Sequence, residues 1–436
     1  MTDFFPTGQI ILVFSIILKI FWEILKAWWW LPLPIILFFP LKSLYLWYIQ
    51  EKWGEKIEWV MLEIKIPREI ERPMKAMEQV ISNFWAFYDP PNFREKWIEG
   101  KFLLGFSMEI ASIDGVVHFF LRIPRNVRGI FESAIYSQYP EVEISEVEDY
   151  TKKVPQNIPN QDWDLWGCDY MMMKESCYPL KTYASFFETT QEVKEEKRVD
   201  PLAVLIEGLS NLKPGEQFWF QIMATPITNA EVAWIDEGKK VIDKIIGRPL
   251  PPKPKSITGE FFKTLLTDQP PFAPEKKSEE RVLPGLALTS AEQERIRAIE
   301  QKLGKQAFKT NIRFIYLAKR DVFFKPRLRL GLNFSVGVST QDLNGIKPWG
   351  KTITKVTYPA PFRKKRVYLR QRKMFRNYVK RLPPLYPRSP GKGVFVLNTE
   401  ELATLWHFPS RMGAPTPAFP RIEAKKGGPP PEIPTE

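Results

Sequence analysis

The stretch from Gln9 to Ile49, QIILVFSIILKIFWEILKAWWWLPLPIILFFPLKSLYLWYI, is an apolar run that nothing later in the chain matches. A bilayer-crossing helix needs about 20 mostly apolar residues. The run therefore has room for one such helix or a tight pair. Lys19, Glu23 and Lys26 interrupt it at i, i+4, i+7 spacing and share one helix face. There Glu23 can pair with either lysine. Such a stripe faces another helix or an aqueous cavity, or forms the wet side of a helix lying in the interface. Trp28, Trp29 and Trp30 sit where an interfacial aromatic belt belongs, and Tyr45, Trp47 and Tyr48 make a second belt. Pro32, Pro34 and Pro40 are expected to break or turn the helix between them. The opening MTDFF carries an acid and no base, a poor match to a cleaved signal peptide. Residues 1–52 are thus expected to be a membrane anchor, a transmembrane or interfacial helical hairpin.

The remainder is mixed, charged and globular in texture. Residues 58–66 alternate as a half-buried strand, and Arg72–Trp85 places apolar residues at helical spacing. Leu103–Ser112 and Val116–Ile123 are strands flanking Asp114-Gly115, a hairpin turn. A helix over Asn126–Gln138 and a strand over Val142–Val147 follow. This β-α-β-β-α-β order predicts a ferredoxin-like unit over 57–150. A second such unit is expected over 151–360. Its first strand is placed at Tyr183–Val193 and its later strands at Gln217–Thr225 and Phe308–Leu317. A helical, proline-rich insertion near 247–306 is expected to replace its central hairpin. A basic helix and a strand-helix element fill 361–410, and a proline-rich tail fills 411–436. The fold class is α+β.

Little chemistry is legible. The two cysteines, Cys168 and Cys177, form no C-x-x-C, and the two histidines, His118 and His407, lie far apart. No acid pair, nucleophile with base, or metal set stands out, so no catalytic residue, metal or cofactor is assigned. Gly345–Thr352 satisfies the P-loop expression, but Pro348 removes a donor and ITKVTYPA after it reads as extended chain, not as the helix a phosphate cradle needs. More informative is Phe362–Arg388, FRKKRVYLRQRKMFRNYVKRLPPLYPR. Its bases include Arg363, Lys364, Lys365, Arg366, Arg370, Arg372, Lys373, Arg376, Lys380 and Arg381, with no Asp or Glu. The net charge of +13 has its densest concentration here. Such a run suits the phosphates of nucleic acid, anionic lipid headgroups or an acidic protein face. It also suits a solvated helix whose long stems cover core.

The stretches WVMLEIKIPREIERPMKAMEQV, GKFLLGFSMEIASIDGVVHFFLRIPRNVRGIFESAIYSQYPEVEI, FVLNTEELATLWHFPS and RIEAKKGGPPPEIP carry a resemblance. They resemble an N-terminal, membrane-anchored region of type IV secretion and conjugation proteins of small-genome bacteria. In that family the region leads into an FtsK/HerA-type ATPase, of which this chain has no Walker segment. The positive charge of the body and the poor match to a signal peptide point to the cytoplasmic (inner) membrane, with the body in the cytoplasm. The resemblance implies a membrane-bound accessory docking subunit, not an enzyme. Its implied partners are the membrane and a separate motor ATPase, with Leu402, Leu405, Trp406 and Phe408 at the motor-docking element. A homo-oligomer is compatible with it. The alternative is a membrane-tethered nucleic-acid-binding protein using the helix over 363–388.

Overall fold

A computed structural model describes residues 7–28, 30, 32–67, 72–186, 200–248, 288–388 and 391–409. The proline-rich excursion after Pro249, the tail beyond 411 and Trp29 lie outside the described residues. The chain forms two units.

The first unit holds helices α1 (Thr7–Trp28) and α2 (Pro32–Gly54), together with the later segment Asp89–Leu103, a loop with one π-helical turn over Glu95–Glu99. α1 ends at Trp28, which stacks on Trp30 at 6.2 Å. Pro32 opens α2, a position where a missing N–H costs nothing. Pro40, expected to interrupt, lies inside α2, which continues through it. Lys26 Nζ meets Glu23 Oε1 at 3.3 Å, both exposed, which makes the polar stripe of α1 a local pair. Large apolar side chains stand exposed along both helices, among them Phe14, Trp22, Phe39, Trp47 and Tyr48. Among the described residues no helix is long and apolar enough to cross a membrane. The expected anchor is therefore present as two consecutive apolar helices, and the spanning version of the expectation is not met there.

The second unit is built on one antiparallel sheet. Its strands are β1 (Trp59–Lys65), β2 (Phe106–Ile113), β3 (Val116–Pro124), β4 (Glu143–Val147), β5 (Trp163–Met172), β6 (Glu216–Ile227), β7 (Ala307–Lys319), β8 (Ile346–Pro348) and β9 (Phe395–Asn398). The order is β4-β1-β3-β2-β6-β7-β5-β8, and β9 pairs with the start of β7 beyond the end of β5. The helices are α3 (Met74–Phe84), α4 (Arg128–Gln138), α5 (Ala203–Ser210), α6 (Trp234–Ile246), α7 (Ser290–Leu303), α8 (Arg329–Gly337), α9 (Arg363–Val379) and α10 (Thr399–Leu405).

The sheet repeats itself. In the first half β1-α3-β2-β3-α4-β4 gives the strand order β4-β1-β3-β2. In the second, β5-α5-β6-β7-α8-β8 gives β8-β5-β7-β6. The second strand of each half joins them, with β2 and β6 paired from Phe106↔Ala224 to Ile113↔Gln217.

Two expectations need correction. The first strand of the second half is β5, not Tyr183–Val193; Tyr183–Phe186 is a 3-10 turn, and 187–193 lies outside the described residues. β5 hides in the sequence because it is interior and buried on both faces along much of its length, so its polar and apolar residues do not alternate. It also needs Gly167, where a Cβ would stand 2.5 Å from Ile315 Cγ2 and 2.7 Å from the Phe314 carbonyl. Second, the central hairpin is not replaced. β6 and β7 pair along their whole length, from Glu216↔Ala318 to Ile227↔Ala307, and α6 and α7 lengthen their connection.

One sheet face packs Leu62, Met108, Phe119, Phe220 and Phe314 against Phe84, Phe131, Leu205 and Leu402 of the helices. The other buries Met61, Phe120, Trp219 and Ile315 under α9 and the 3-10 turn Tyr150–Lys153. The basic segment is thus a layer of this unit, not a separate appendage.

Candidate anion-binding surface

Helix α9 seats itself with Met374, Phe375 and Tyr378, the apolar positions of its last turns, on Trp219 and its neighbours. Its C-terminal end is fixed by two buried arginines. Arg313 on β7 is fully buried and donates from Nε to Asp169 Oδ1 at 2.9 Å. The same guanidinium donates to the carbonyls of Asn377 and Leu382, each at 2.7 Å, and so closes the last turn of α9.

The second is Arg381, just past the helix in a left-handed conformation (φ 52°). It donates to both oxygens of Glu109, at 3.0 and 3.1 Å, and to Asp149. Glu109 also accepts from Ser107, Tyr150 and Gln221 at 2.7, 2.7 and 2.9 Å, and the Tyr150 and Tyr378 hydroxyls meet at 2.8 Å. Burial raises the pKa of Glu109, but Arg381 and these donors outweigh it and hold the carboxyl below its ordinary value. Asp149 is lowered by the same balance. Arg122 lies over the Trp59 ring at 4.1 Å, and burial with the nearby Arg381 charge pushes it down to about 10.

With its end clamped, α9 turns most of its remaining bases to the surface, while Lys373 also donates to the Leu385 carbonyl at 3.2 Å. Arg363, Lys364, Lys365, Arg366, Arg376 and Lys380 are exposed, and Arg372 and Lys373 are half-buried. Arg370 donates to the carbonyls of Ile353 and Lys355. Among the described residues no carboxylate lies within 4.0 Å of any of these nine groups. Arg372, Lys373, Arg376 and Lys380 follow each other at helical spacing along one groove of about 580 Å³, floored by Leu369, Phe375 and Val379 and closed by Gln156. Burial, Arg376 and Arg388 depress the Lys373 ammonium. Four cations held in a concave strip without counter-charge can accept a polyanion.

The structure places the other expected residues differently. Arg381, expected in the anion-binding set, is an internal clamp, because a carboxylate in the buried strand β2 must find a cation. Leu402, Leu405, Trp406 and Phe408, expected to dock a motor, are in the core. Trp406 and Phe408 pack edge-on against Phe119. α10 is capped by Asn398 and Glu401, and Glu401 accepts from fully buried Lys302 at 2.9 Å. Those side chains stabilise the fold and present no surface to a partner. Lys19, Glu23, Lys26, Trp28 and Trp47 stand exposed on the first unit.

Sequence reasoning missed Arg313–Asp169 altogether. Glu109, a lone carboxylate in FSMEIAS, was the available signal for the other clamp. The P-loop match is sheet edge. Ile346–Pro348 is β8, the Trp349 N–H donates to Asp169 O at 2.8 Å, and the Thr352 and Ile353 N–H groups donate back to Trp349 O. The Gly345, Ile346, Trp349 and Thr352 N–H groups are thus committed to the fold. His118 and His407 pair with Glu63 and Asp200 at 2.6 and 3.0 Å. Among the described residues no three His, Cys, Asp or Glu side chains converge as a metal site. Compared with known proteins, the sequence matches no family model and no curated protein.

Proposed function

We propose that this chain is a binding, non-catalytic accessory subunit that contacts the phosphate backbone of nucleic acid through α9, while α1 and α2 lie in a membrane interface. The reading suits a type IV secretion-like transfer machine with a separate motor ATPase, the context the sequence resemblance implies. The observation that carries it is the acid-free groove of Arg372, Lys373, Arg376 and Lys380. Buried clamps preorganise this strip, so little ordering entropy opposes binding. No base-reading element accompanies it, and the expected binding is independent of sequence. Each half of the sheet is read here as a ferredoxin-like unit, on its β-α-β-β-α-β order. That assignment supplies a scaffold and no activity.

The test is fluorescence anisotropy of labelled DNA with the full chain across a salt series. Replacing Arg372, Lys373 and Arg376 with Glu should lower the log K versus log salt slope by about three. No binding by the wild type, or an unchanged slope in the variant, refutes the reading. Binding of an acidic protein in place of DNA would transfer the surface to a protein partner.

A further inference from the structure

The segment Asp89–Leu103 folds with α2. The Tyr45 hydroxyl donates to the Trp97 carbonyl at 3.0 Å, and Trp53 meets Phe102 edge-on at 5.1 Å. Gly100 (φ 79°) lies so close to the α2 backbone that a Cβ would fall 2.3 Å from the Ile49 carbonyl. The loop holds its own shape through Glu95, which accepts from the Asn92 N–H and from Lys101. The result is that Phe93 and Ile98 are held 80% and 66% exposed.

Between this loop and α2 runs a groove of about 670 Å³ walled by Leu37, Phe38, Leu41, Phe93 and Trp97. Its polar groups are the Tyr45 side chain and the Lys42 ammonium, which sits 4.7 Å from the Trp97 ring centre and 5.6 Å from that of Phe38. Among the described residues no carboxylate lies within 4.0 Å of Lys42.

We propose that this groove holds an acyl chain of an anionic phospholipid whose phosphate rests on Lys42. The proposal rests on the reading that the first unit lies in a membrane interface. The walls are hydrocarbon and aromatic, which suits a chain and gives a soluble anion nothing. The single cation between two rings lacks a counter-charge, which a phosphodiester supplies. Both demands are met by one molecule, a lipid carrying charge and chain together. Exposed apolar side chains of α2, among them Leu44, Trp47 and Tyr48, continue beyond the groove, so the lipid would be one of the surrounding layer. In this reading Phe93 and Ile98 insert beside it.

The experiment is flotation of the full chain with vesicles of phosphatidylcholine alone and of phosphatidylcholine mixed with phosphatidylglycerol. The wild type should partition more strongly into the mixed vesicles. Lys42→Gln should lose about fivefold of that partition, the weight of one basic residue at an anionic surface. Lys52→Gln on the same helix should change it less than about twofold, because it lies outside the groove. Equal losses in the two variants, or equal partition of the wild type into both vesicles, overturns the lipid site and leaves membrane binding standing. No flotation with either vesicle overturns membrane binding itself. Unchanged circular dichroism of Lys42→Gln, an exposed position, separates lost binding from lost folding.

Discussion

Replacing Arg381 with methionine keeps the stem that fills the space under α9 and removes the guanidinium. Glu109 then keeps Ser107, Tyr150 and Gln221 as donors but loses both charge-assisted bonds from a fully buried pair. Asp149 loses two more contacts but is partly exposed and recovers some by hydration. Bonds to charged groups contribute roughly 1.5–3 kcal/mol each, and breaking a buried pair on one side costs about 3–5 kcal/mol. The surviving donors to Glu109 argue for the lower end, about 3 kcal/mol. The assay is urea unfolding of the full chain, followed by near-ultraviolet circular dichroism of buried aromatics such as Trp219.

The pH dependence tests the cause. In the wild type the pKa values of Glu109 and Asp149 are lowered, so their contribution is present above the ordinary carboxyl range, about 4. It is lost as pH falls through the depressed folded values. In Arg381→Met, burial without the cation should raise the Glu109 pKa instead. The difference between the proteins should therefore shrink as pH falls towards 4 and below. A loss under about 1 kcal/mol at neutral pH, or one that does not change with pH, would refute the clamp. Arg381→Met with Glu109→Gln should be more stable than the single variant, because the uncompensated charge is gone.

Two further outcomes follow from packing and burial. Gly167→Ala should cost about 1–3 kcal/mol in the same unfolding assay, since the added methyl meets Ile315 and the Phe314 backbone; a neutral variant would mean that β5 and β7 are spaced more widely. Cys168 is fully buried and its thiol is raised well above its usual value by that burial, while Cys177 is pushed up to about 11. Neither should react with a thiol reagent at neutral pH until the protein unfolds, and rapid native labelling would contradict their placement.

If docking to a motor occurs, it cannot use Trp406 and Phe408 as they stand, because both fill the core. Among the described residues, the outward bases of α9 and the exposed apolar side chains of α1 and α2 stand at the surface. On the reading proposed above, recognition would fall on these two elements of opposite character, one cationic and one hydrocarbon-like.

Much of the architecture is local and legible from neighbouring residues. Alternation marked β1, apolar residues at helical spacing marked α3, and Asp114-Gly115 marked the first hairpin between β2 and β3. The apolar run announced two helices, and the absence of acids from 362–388 announced a cationic helix surface. Which of these features face inward depends on contacts made only in the folded sheet. β5 lost its alternation because both of its faces are covered, so no period of two survives to be read. Arg381 looks like its basic neighbours until Glu109, distant in sequence, is brought under it by the sheet. Phe93 and Ile98 sit in a polar loop whose meaning depends on packing against α2. Charge and hydropathy are properties of a residue; burial and pairing belong to contacts between distant parts of the chain, and only the folded sheet brings those parts together.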